Sequence, residues 1–131
     1  MNLSNAFLAK CAALKHAGYK GELGPGTVVA RGFADLGFEV FSVLPSDKLL
    51  SVFTGKITSL TADEHQHLFV IPDVDDLIRF IQSKCGYEIN CQTIDGRIWS
   101  VMAGQNQIAP IIPCSSLLET LIEVAIKTLS S

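Results

Sequence analysis

Charge is scarce in this sequence: Asp, Glu, Lys and Arg together make up 18% of its 131 residues, against 48% apolar. So little charge leaves the surface of a monomer thinly covered, and self-association is expected, as a homo-oligomer and most simply a homodimer, with a protein partner as the other use of an apolar surface. An excess of basic residues is lacking too. The formal net charge is −3 and no local cluster of Lys and Arg stands out, so the chain has no electrostatic footprint for a phosphate backbone and nucleic-acid binding is not expected. Long apolar runs are also missing. The longest, around residues 41–44 and 68–71, have strand length and fall well short of the roughly 18 to 20 residues a membrane helix needs.

Cysteines stand at 11, 85, 91 and 114, with no C-x-x-C pair and none of the spacing of a tetrahedral zinc site. Cys11 and Cys85 fall on the apolar faces of predicted helices, where thiols act as small hydrophobes, and this favours a reduced, cytoplasmic chain over a disulfide framework. A tight turn between Cys85 and Cys91 would let them approach, which leaves their redox state open. The first 21 residues hold Lys10, Lys15 and Lys20 and no acid before Glu22, yet they lack Arg, and Lys10 interrupts the apolar segment. That pattern suits neither a transit peptide nor a secretory signal. Length favours one α+β domain over residues 1–131.

Apolar spacing predicts a first helix from Asn2 or Ser4 to Gly18, with Phe7, Cys11 and Leu14 inward. The segment 18–26 holds four glycines and a proline and is read as a turn-rich connection, since it lacks both the Gly-Lys-Ser/Thr ending of a phosphate loop and a preceding strand. A short helix is expected from the cap Thr27 through Val28, Val29, Phe33 and Leu36 to Gly37, then a strand from Phe38 to Leu44 that ends at Pro45. Residues 46–60 suit either a helical turn through Leu49 to Phe53 or a strand that turns at Thr54-Gly55-Lys56. Strands at 57–60 and 68–71 are expected to pair across a polar loop, 61–67.

Asp73 is the expected cap of a helix with Val74, Leu77, Ile78, Ile81 and Cys85 inward, and Gly86 its stop. Alternation from Tyr87 to Ile94, the pair Asp95-Gly96, and a return from Arg97 to Ala103 describe a hairpin. Ser116 and Glu119 form a capping box for a last helix with Leu117, Leu118, Leu121, Ile122, Ala125 and Leu129 as its apolar face. These elements give an α+β fold: a mostly antiparallel sheet covered by amphipathic helices, as a two-layer or three-layer sandwich.

Chemistry-bearing clusters are few. Asp63, His65 and His67 are the candidate metal ligands, because on an extended segment the two imidazoles point the same way beside a carboxylate; a solvated loop has the same composition. Asp73, Asp75 and Asp76 fit the positive end of a helix dipole. Cys114 precedes a helix, where a thiolate is favoured, but no histidine can be assigned to it. No G-x-S-x-G context surrounds Ser115 or Ser116. Trp99, Tyr87 and Phe41 are the candidate contact residues of an interaction surface. No catalytic residue and no cofactor is assigned.

The stretch Pro72-Asp73-Val74-Asp75-Asp76-Leu77-Ile78, the hairpin with Trp99 and the closing segment 117–127 together resemble small uncharacterised α+β proteins encoded in prophages and other mobile elements of bacteria. The resemblance covers roughly the last 60 residues and carries no catalytic motif. It implies an accessory bacterial origin and a helix covering an aromatic-bearing hairpin. The expected function is a non-enzymatic interaction module that self-associates. The alternative is a small enzyme or metal- or ligand-binding protein using the His65/His67 loop or a pocket near Cys114.

Overall fold

The structure, a computed structural model, describes residues 4–21, 23–33, 37–94, 98–104, 106–107 and 116–130. Among them, the elements in chain order are α1 (Asn5–Ala17), β1 (Val28–Phe33), β2 (Gly37–Leu44), β3 (Lys48–Ser51), β4 (Ile57–Ser59), α2 (Ala62–His67), β5 (Phe69–Val70), α3 (Val74–Cys85), β6 (Ile89–Ile94), β7 (Ile98–Ala103), β8 (Asn106–Gln107) and α4 (Leu117–Ser130). Every strand pairing among the described residues is antiparallel, and the fold is α+β. Contacts within the chain cluster into two compact units, residues 1–15 with 20–72 and residues 16–19 with 73–131.

In the first unit the strands form one sheet in the order β4-β3-β2-β1-β5. The segment expected as a helix after Thr27 is strand β1. Its neighbours Val29 and Ala30 are both 0% exposed, so the strand is covered on both faces and shows no alternation in sequence. Its β-branched residues Val28 and Val29 suit the pleat, and pairing with β2 from Val28↔Ser42 to Phe33↔Gly37 settles its geometry. Gly37, at φ 89°, opens β2 instead of closing a helix. Positions 34–36 lie outside the described residues.

Residues 46–60 take the strand alternative, as β3 and β4. The β2–β3 connection passes through Ser46 and Asp47 at φ 67° and 55°, a left-handed pair with no glycine in it. β4 and β5, expected to pair with each other, stand at opposite edges, and the polar segment between them is helix α2. On one sheet face the register sets Val29 opposite Phe41 and Val43 opposite Leu49, and these four join Leu60 and Leu68 in one buried cluster flanked by Leu23 and Val70. On the other face Ala30 meets Val40, both buried. Helix α1 starts where the Ser4 hydroxyl accepts the Phe7 amide at 3.2 Å, and it buries Phe7, Leu8, Cys11 and Leu14. Gly21 lies so close to Val70 that a Cβ there would come within 2.7 Å of that side chain.

The second unit is a two-layer structure: a sheet of order β6-β7-β8 with α3 and α4 packed on one face and on each other. α3 begins at Asp73, whose carboxylate accepts the Asp76 amide at 2.7 Å, and ends at Gly86 in the left-handed conformation. α4 begins at Ser116, whose hydroxyl accepts the Glu119 amide at 3.2 Å. The register pairs Ile89 with Ala103 and Cys91 with Val101, and this face is buried, apart from a half-buried Cys91, with Leu77, Ile81, Leu121, Ile122, Val124 and Ala125 of the helices. Asn90 and Gln92 alternate with it and are exposed. β8 pairs with β7 at Met102↔Gln107 and Ala103↔Asn106. The Asp95-Gly96 turn lies outside the described residues.

Candidate interaction site

The candidate metal ligands come apart once the segment 61–67 is helical. Each residue of an α-helix turns about 100°, so His65 and His67 diverge by about 200° instead of sharing a side as they would on a strand. Asp63 stands one turn before His67, and all three side chains are exposed. Both histidines lie in the last turn of α2, where a positive ring suits the helix end. The Lys15 ammonium donates to the Gln66 and Leu68 carbonyls, each at 2.8 Å, and ties α1 to the end of α2. Among the described residues no three His, Cys, Asp or Glu side chains are grouped to hold a metal ion.

Of the candidate contact residues, Phe41 is 3% exposed and belongs to the core, so its ring offers no outer surface. Central strand β2 is covered on both faces here, since the adjacent Val40 is buried as well. The Arg31 guanidinium lies 5.2 Å from the centre of the Phe41 ring and pairs with Glu39 at 3.3 Å, while the Ser51 hydroxyl donates to the other Glu39 oxygen at 3.3 Å. Tyr87 is 59% exposed, and its ring lies against Gly104, where a Cβ would come within 3.3 Å. Trp99 stands opposite Thr93 in the hairpin register, but its side chain lies outside the described residues, as does Cys114.

Val52, Phe53 and Ile57, not singled out by sequence, are the most exposed large apolar side chains among the described residues of the first unit, at 52%, 61% and 57%. They sit on the β3–β4 hairpin, at one edge of the five-stranded sheet. The turn is held from inside: the Thr54 amide donates to the Ser51 hydroxyl at 3.4 Å, the Gly55 amide to the Ser51 carbonyl at 2.9 Å, and the Ser51 amide to the Lys56 carbonyl at 2.9 Å. The signal for it was Val52-Phe53 directly before Thr54-Gly55, an apolar pair at a turn where polar residues are usual.

Thiol chemistry is subdued. Cys11, Cys85 and Cys91 are free, burial pushes the Cys11 thiol up to about 12, and burial raises that of Cys91. Tyr19 packs edge-on against Phe80 with ring centres 5.0 Å apart, and its hydroxyl is held protonated above its ordinary range by burial, then by Asp76 and Asp73, with Arg79 opposing. No helix among the described residues is long and apolar enough to cross a membrane. No family model, no curated protein and no solved structure matches the chain.

Proposed function

We propose that this chain is a non-enzymatic protein-interaction module that self-associates, most simply as a cytoplasmic homodimer, and that presents the β3–β4 hairpin as an apolar contact. The observation that carries this reading is the exposure of Val52, Phe53 and Ile57 by more than half on one hairpin at a sheet edge. Large apolar groups gathered at one exposed place mark contact surfaces, whereas single scattered ones do not. The low charge content agrees with it. An accessory role in a mobile element, implied by the resemblance of the last 60 residues, suits a small module of this kind.

Light scattering coupled to size exclusion, over a wide range of concentration, tests it. The wild type is expected to assemble beyond the monomer, and Phe53→Ser with Ile57→Thr should weaken the concentration-dependent growth about tenfold, the usual effect of losing a contact anchor. A wild type that stays monomeric at hundreds of micromolar would overturn the reading.

A further inference from the structure

The molecule's sheet edges are not equivalent. Among the described residues, edge strands β4, β5 and β8 have 3, 2 and 2 residues, whereas edge strand β6 has 6. Proteins ordinarily shield a long edge with charge, proline or a bulge. Ile89-Asn90-Cys91-Gln92-Thr93-Ile94 has no charged residue and no proline, and its register with β7 runs unbroken.

The hydrogen bonds show which groups this edge leaves open. The Gly104 amide donates to the Glu88 carbonyl at 3.1 Å, so by antiparallel alternation Asn90 and Gln92 bond inward to β7 while Ile89, Cys91 and Thr93 turn their amides and carbonyls outward. The Ile89 amide confirms this, because it donates outward to the Gln82 side chain at 3.1 Å. Among the described residues nothing receives the amides of Cys91 or Thr93. Gln82 thus closes the first outward position and leaves the next two open.

We infer that β6 pairs antiparallel with β6 of a second copy, with Gln92 on the two-fold axis, joining the two three-stranded sheets into one. This rests on the reading that the chain self-associates: β6 is the seam that joins two copies, and the apolar hairpin is a separate contact through which the assembly grows at higher concentration. A second copy fits because pairing β6 with itself sets two uncharged strands side by side, and residues 89–94 carry no charge to repel. The axis position follows from the bonds. With Gln92 on the axis, Cys91 faces Thr93 of the second copy and both open amides of each copy find a carbonyl. With Cys91 on the axis the open amides would also find carbonyls, but Thr93 would face Ile89, whose amide is already given to Gln82, and the Thr93 carbonyl would be left without a donor. On the axis the two Gln92 side chains meet at a non-hydrogen-bonded pair, about 4.5 Å between Cα atoms, and an amide is complementary to itself because it both donates and accepts.

The test places charge on that axis. Gln92 is exposed within its own chain, so Gln92→Lys and Gln92→Glu leave the core intact. Each variant alone should weaken the dimer at least about tenfold through like charges brought together, and an equimolar mixture should restore it as a heterodimer. Restoration also shows that both variants are folded. Dimerisation that is unchanged in both variants but lost in Phe53→Ser with Ile57→Thr overturns the β6 seam and leaves the self-association reading standing. A monomeric wild type overturns that reading, and the seam with it.

Discussion

The two sheets of this protein solve the same burial problem differently. The five-stranded sheet covers both faces of its central strands, so consecutive residues such as Val29-Ala30 and Val40-Phe41 are all buried. The three-stranded sheet buries one face, and β6 alternates buried Ile89 with exposed Asn90 and half-buried Cys91 with exposed Gln92. Strands covered on both sides spend their apolar residues continuously, whereas strands covered on one side keep a polar row for water or a partner. That difference explains both what could be read from the sequence and where an open surface remains.

The largest effects should come from opening each core in turn. Leu49→Ala in the first unit and Leu121→Ala in the second each remove a side chain that is at most 1% exposed, and each should cost about 2 to 5 kcal/mol. Hydrogen exchange resolves where the loss falls: Leu49→Ala should deprotect β1 to β3 first, and Leu121→Ala should deprotect β6 and β7. Equal loss across both sheets for either substitution would dissolve the division into two units.

A smaller effect separates the thiols. Cys11, 1% exposed, ionises only near 12 in the fold against 9.0 ordinarily, so as pH rises the unfolded chain gives up this proton first. Its contribution to stability is complete below pH 9 and falls between 9 and about 12, by at most about 1.4 kcal/mol per pH unit. Cys11→Ala removes that slope. Urea titrations at pH 8 and pH 10 on both proteins check it, and equal pH dependence in the two would contradict the burial argument.

The smallest effect belongs to the β2–β3 turn, which has no counterpart among the described turns of the second unit. Ser46 and Asp47 both hold positive φ, which disfavours any residue with a Cβ. Ser46→Gly should therefore stabilise the protein by about 0.5 to 1 kcal/mol, measured as a rise in urea midpoint at constant slope. A fall would mean that the serine side chain holds the turn.

Capping residues and alternation were legible in the sequence wherever one face is polar: Asp73, Gly86, Ser116 and the rows of β6 follow from local chemistry. β1 was not legible. A short apolar run lacks the period that separates helix from strand, and pairing with β2 decided between them. The segment 61–67 shows the reverse case, where polarity suggested a loop and the backbone closed into a helix whose end Lys15 ties down. The same step undid the proposed ligand pair, since His65 and His67 converge only on an extended chain. Phe41 failed as a surface residue for the reason β1 failed as a helix: burial on both sides leaves no mark in an aromatic or β-branched run.

Gly21 and Val70 are bound by a steric bargain that reaches beyond this one molecule. With 2.7 Å between a would-be Cβ and the Val70 methyl, a larger residue at 21 demands a smaller one at 70 or a displaced β5. Descendants of the same ancestor should therefore vary at these two positions together. That paired variation offers a way to recognise distant kin whose overall sequences have drifted beyond ordinary detection.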